Sequence, residues 1–115
     1  MTYRNRALLD LAEGKPCMNC GREDGTVVAA HSNRSEHGRG KDHKSHDCFS
    51  AWLCWRCHSW YDHGGIGKDP TGIYQAARGD KDEMFSRAME RTWRSMWERG
   101  LISLVGKHQR VVEHG

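Results

Sequence analysis

Two cysteine pairs constrain this chain more than any other feature: Cys17-Met18-Asn19-Cys20 and Cys54-Trp55-Arg56-Cys57. Two such turns can supply four thiolates to one tetrahedral Zn2+. A fold built around that ion must bring residues 54–57 back to residues 17–20. The segment between them, residues 21–53, is longer than the roughly 15–20 residues usual in such arrangements. It must leave and return, as a strand, a loop and a second strand would do. Cys48 belongs to neither pair and reads as a small buried residue on the second strand.

Composition fits a small metal-stabilised domain. Of 115 residues, 37% are apolar and 29% charged, and glycine (13) far outnumbers proline (2). Such a chain is loop-rich, has a modest core and gains from a structural ion. We expect a single domain over residues 1–115. The opening "MTYRNRALLDLAEGKP" carries charge through its only apolar patch, so it does not read as a signal peptide. The expected compartment is the cytoplasm, where five cysteines argue for metal rather than disulfides. No apolar run approaches the roughly 20 residues of a membrane span, so no membrane partner is expected. The formal net charge of +3 is compatible with nucleic acid without requiring it.

Residues 3–13 read as a short helix, with Leu8, Leu9 and Ala12 as its apolar stripe, inside an N-terminal helical segment 1–16. "TVVAAH" (26–31) and "CFSAWL" (48–53) read as strands. Residues 32–47 contain no aliphatic or aromatic side chain and read as a long polar loop. The chain turns helical from Trp55 through about His63, so the knuckle and its strands occupy residues 17–63. "GGIGKDPTG" is a glycine-rich break without the spacing of a phosphate loop. The clearest helix spans 80–99, capped by Asp80 or Asp82 and ended by Gly100. Its stripe is Phe85, Ala88, Met89, Thr92, Trp93 and Met96, read as core. Glu83–Arg87 and Glu90–Arg94 are i, i+4 pairs. "LISLV" (101–105) adds an edge strand or covers the core. Trp52, Trp55 and Trp60 pack around the knuckle.

The chemistry gathers beside the second cysteine pair. Residues 54–58 spell the attachment motif for c-type haem, Cys-x-x-Cys-His, but an idle second pair and a cytoplasmic chain argue against it. His58 and Asp62 lie one helical turn apart on one face and can bind a divalent cation, Mg2+ or another. His63 is the alternative to Asp62. His31 ends the first strand and can face that helix, which sets a base opposite a metal. Phosphodiester hydrolysis needs that pairing. Arg34, Arg39, Lys41 and Lys44 on the polar loop are candidate phosphate contacts. His37 and His43 read as solvated.

The order C-x-x-C … AH … G-x-G … K-x-x-D … C-x-x-C-H-x-x-x-D resembles the HNH (ββα-metal) nucleases. More closely it is similar to the YbcO-like nucleases of phages and prophages, which are related in pattern to the phage recombination nuclease Ref. The residues that carry the likeness are 27–33, 38–62 and, more loosely, 87–102. The resemblance implies a small α+β fold: a ββα-metal core, a structural zinc knuckle, and flanking N- and C-terminal helices. It implies a phage-encoded endonuclease that cuts DNA, single-stranded or branched DNA included. The cofactors implied are Mg2+ or a similar ion beside structural zinc, and the partner a phage or host recombination protein. His31 falls on the general-base position, and His58 and Asp62 on the helix ligands. Many relatives place an acidic ligand before the first histidine, where this chain has Ala30. Their middle asparagine corresponds to the neighbourhood of Ser45, His46 and Asp47. Either His46 or Asp47 then orients His31 or ligates metal, and His31 is either base or ligand. Two rival readings stand beside this one: a non-catalytic zinc module that binds nucleic acid, and a protein-interaction scaffold held by zinc.

Overall fold

The computed structural model describes residues 2–103. Its elements run α1 (Arg6–Asp10), β1 (Val28–His31), a single 3-10 turn (Ser35–His37), β2 (Ser50–Leu53), α2 (Trp55–Asp62) and α3 (Asp80–Glu98). It is a small α+β fold. Strands β1 and β2 pair antiparallel, with Val28 opposite Leu53, Ala30 opposite Ala51 and His31 opposite Ser50. The two differ in role. All four β2 residues are buried, whereas β1 keeps Val28 exposed.

A two-stranded sheet is unstable alone and its free edges need partners. Here Trp52 is served from both sides of the fold. Its N–H donates to Thr92 Oγ1 (3.0 Å) on α3. Its carbonyl accepts from Met18 N (2.8 Å) in the first cysteine turn. The outer edge of β2 is thereby closed by a helix and by the knuckle. The core beneath includes Leu53, Tyr61, Met84, Phe85, Ala88 and Met96. Tyr61 stacks on Phe85 at 4.5 Å, and its hydroxyl accepts from Asn33 N (2.8 Å), tying α2 to the end of β1.

Several elements are shorter or placed differently from the sequence reading. The N-terminal helix holds only Arg6–Asp10, because Asn5 caps it by accepting from Leu8 N (3.1 Å). Residues 3–5 run instead beside residues 44–47. The cap of α3 is Gly79, with a positive φ, rather than Asp80 or Asp82. Asp80 turns its carboxylate backwards onto the amides of Gln75 (3.0 Å) and Ala77 (3.1 Å). Trp93 lies at the border of the apolar stripe and is exposed, its indole N–H bound to the Cys48 carbonyl (2.9 Å). Trp52 and Trp60 are buried, but Trp55, the first residue of α2, is 60% exposed while Cys57 of the same turn is buried. Cys48 sits in the turn before β2, half-buried. Ile102 packs on the core; residues 104 and 105 of the proposed edge strand lie outside the described residues. The pairs Glu83–Arg87 and Glu90–Arg94 form as expected. Among the described residues no helix is long and apolar enough to cross a membrane.

Candidate metal and nucleic-acid site

The cysteine turns meet. The Sγ atoms of Cys17, Cys20, Cys54 and Cys57 all lie within 4.8 Å of one another. A Zn–S bond of about 2.3 Å in a tetrahedron puts sulfurs about 3.8 Å apart. Cys20 and Cys54 stand at 3.6 Å, too far for a disulfide and right for a shared ion. Backbone N–H groups of Asn19 (3.4 Å) and Cys20 (3.5 Å) point at Cys17 Sγ, as thiolate charge requires. The thiol hydrogen bond from Cys57 holds Cys17 down at about 4, and the same bond pushes Cys57 up. The donor set fits a structural zinc ion.

The support for this cluster was not legible in the motif. Asn19, inside the first CxxC, donates its side-chain amide to Cys57 Sγ (3.2 Å) and to Asp69 Oδ2 (2.8 Å). Asp69 is 4% exposed and also accepts from the Thr71 hydroxyl (2.8 Å) and Tyr74 N (3.0 Å). Burial works to raise its carboxyl, but these donors outweigh it and hold it below the ordinary range. The glycine-rich break is thus a buttress folded onto the knuckle.

On the other side of α2 the chain forms an open groove of about 950 Å3. His31, Asn33, His58 and Asp62 line it, together with Arg39, Lys41, His43 and Lys44. His58 Nε2 and Asp62 Oδ2 are 3.0 Å apart across one helical turn, both partly exposed. His63, the alternative to Asp62, donates its Nδ1–H back to the Ser59 carbonyl (2.7 Å) and does not line the groove. An imidazole and a carboxylate that share an open groove can hold a divalent cation and leave positions for water and phosphate.

His31 is fixed from behind. Its Nε2 lies 2.8 Å from Asp47 Oδ1. Asp47 also accepts from Asn5 N (2.6 Å) and from Arg4 (3.1 Å). Burial works to raise the Asp47 carboxyl, and the His31, Asn5 and Arg4 donors overcome it, so the group stays a carboxylate. Facing a carboxylate, Nε2 must carry the hydrogen, which leaves the lone pair on Nδ1. Among the described residues the cysteines are the only group of three or more potential ligands drawn this close. His31 therefore does not join His58 and Asp62 as a preformed third ligand.

The loop divides its charges. Arg39, Lys41 and Lys44 face the groove, and Arg39 is braced by Asn33 Oδ1 (2.7 Å). Arg34 does not line it; it pairs with Glu36 and with Asp82 (3.6 Å). His46 is also away from the groove, where its Nδ1 accepts from Tyr3 N (2.8 Å). His37 is not solvated as expected but stacks on Phe49 at 4.5 Å and bonds Ser32. His43, read as solvated, lines the groove. Gly38 has φ of +93°, and a Cβ there would come within 2.6 Å of the His46 ring, so glycine lets the loop close over it. Asn33 went unassigned; it lies two residues beyond His31, a spacing that returns an extended chain to the same side.

A solved structure described as "a putative bacteriophage protein from Escherichia coli str. K-12 substr. MG1655" shares the fold. The TM-score is 0.53 at 24% sequence identity, over 80% of this chain and 98% of that one. No family model and no curated protein matches this chain.

Proposed function

We propose that the chain is an HNH-type endonuclease that hydrolyses DNA phosphodiester bonds with a divalent cation, alongside a structural zinc. The observation that carries this reading is one groove shared by His31, oriented by Asp47, and the His58–Asp62 pair. The strand–strand–helix order of β1, β2 and α2 agrees with a ββα-metal core. A cation held by His58 and Asp62 would neutralise charge on the phosphate and on the departing oxygen. His31 Nδ1 takes the proton of the attacking water, and Asp47 stabilises the imidazolium that results. Arg39, Lys41 and Lys44 hold the sugar–phosphate backbone. The fold neighbour's bacteriophage description supports a phage association; in this reading the enzyme acts in the bacterial cytoplasm, in phage DNA processing or recombination.

The test is plasmid nicking in Mg2+ or Mn2+ by the parent, His31→Ala and His58→Ala, each with its zinc content measured. Cation-dependent cutting by the parent, lost from both variants at full zinc occupancy, supports the reading. Equal cutting by all three identifies a contaminant.

One observation favours a non-catalytic zinc module that binds nucleic acid. Ala30, where many HNH nucleases have an acidic ligand, offers no carboxylate and is 1% exposed, opposite Ala51 in the sheet. DNA binding without cutting under any divalent cation would support that alternative.

A further inference from the structure

Asp47 has three donors to satisfy it, and two of them come from the segment before α1. The Asn5 N–H reaches Oδ2 at 2.6 Å, and the Arg4 guanidinium reaches Oδ1 at 3.1 Å. The same guanidinium grips the carbonyls of Ser45 (2.6 Å) and Lys44 (3.0 Å). Tyr3 completes the strap: its N–H goes to His46 Nδ1 (2.8 Å), and its carbonyl accepts from Asp47 N (3.0 Å). Three consecutive residues are thus stitched to four.

We propose that residues 3–5 are a working part of the site, with Arg4 a positioning residue that fixes the Asp47 carboxylate and, through it, the Nε2–H tautomer of His31. The proposal rests on the assignment of His31 as base. The physical reason is rotational. A carboxylate whose side chain is 4% exposed has little water to hold it in place. Without Arg4, the Asn5 amide alone holds Oδ2, and Oδ1 can turn away from His31, which frees the ring to take either tautomer. Arg4 closes this freedom by binding Oδ1 and the two carbonyls on the approach to Asp47 at once. A lysine is a point charge and cannot reproduce that fork. Arg4 itself is not among the groove-lining residues, so its contacts with Asp47 and the loop carbonyls are what the proposal rests on.

The experiment compares the parent, Arg4→Ala, Arg4→Lys and, as a remote control, Arg87→Ala. The readouts are zinc content, thermal midpoint, kcat and KM for nicking, and the 15N shifts of the His31 ring. Arg4→Ala is expected to keep its zinc, to lose kcat on the order of 10-fold with KM unchanged, and to show mixed His31 tautomers. Arg4→Lys recovers part of the loss, and Arg87→Ala, whose side chain pairs with Glu83 on α3, behaves as the parent. Parental kcat and a parental tautomer in Arg4→Ala would overturn the proposal. If the parent cuts no DNA, the ring shifts decide alone. A tautomer fixed in the parent and mixed in Arg4→Ala keeps the strap while the nuclease reading falls.

Discussion

The side-chain amide of Asn19 stands 3.2 Å from Cys57 Sγ and 2.8 Å from Asp69 Oδ2, so one NH2 group joins the cysteine cluster to the loop at Asp69–Tyr74. The bond to sulfur stabilises thiolate charge, and the bond to the carboxylate keeps the amide aimed. Asn19→Leu removes both while preserving size. We expect it to weaken zinc binding by about 10–100-fold, measured by competition with a chromophoric chelator. Asp69→Ala should act in the same direction but less strongly, because Asn19 would keep its sulfur contact. Unchanged affinity in both would mean that the cysteine turns alone set the site.

Metal removal should separate the cysteine cluster from the cation site proposed at His58 and Asp62. Cys17, Cys54 and Cys57 are buried within the core itself. Structural zinc contributes on the order of 10 kcal/mol in small domains, as much as a whole domain's net stability. Stripping zinc with a strong chelator is therefore expected to abolish the native far-UV spectrum, and added Zn2+ to restore it. Removing Mg2+ alone should leave the spectrum unchanged, since His58 and Asp62 already satisfy each other at 3.0 Å. A native spectrum after complete zinc loss would overturn the structural role.

What the sequence revealed is what spacing encodes. Both CxxC turns, the i, i+4 pair His58–Asp62 and the buried stripe of α3 are local patterns, and a helix or turn converts them directly into geometry. Trp93 fits the helical period yet is exposed, because period marks a stripe and not its border. The Asp47–His31 bond crosses a loop whose polar residues have no period, so Asp47 could not be separated from His46 beforehand. Arg4 and Asp69 were invisible for a related reason. Each acts on a partner distant in the chain, through hydrogen bonds that leave no mark on hydropathy.

Acid should destabilise the fold through Asp47 and Asp69. Both carboxyls lie below their ordinary value in the folded chain. Each therefore binds fewer protons folded than unfolded. Their contribution is complete above the unfolded value of about 4 and is lost as pH falls through the lowered folded value. The expected outcome is a stability that drops from about pH 4 downward, measured by urea unfolding. Asp47→Asn should be less stable than the parent at neutral pH and less sensitive to acid. Loss of zinc in acid is common to both proteins and cancels in their difference. Parallel stability curves for the two would exclude Asp47 as a contributor.

Thr92 offers the sharpest test of how the sheet is held. It is 1% exposed; its Oγ1 accepts from Trp52 N (3.0 Å) and donates to the Ala88 carbonyl (2.8 Å). Thr92→Val keeps the shape and removes the acceptor, leaving a buried amide without a partner. That should cost about 1–3 kcal/mol, read as a lower urea midpoint at constant m. Thr92→Ser keeps the hydroxyl and should lose less. The Trp52 amide should also exchange faster in Thr92→Val. Because the carbonyl of the same residue accepts from Met18 N, a loosened Trp52 would reach the first cysteine turn, and zinc should dissociate faster as well. Unchanged stability and exchange in Thr92→Val would mean that β2 does not depend on α3 for its outer edge.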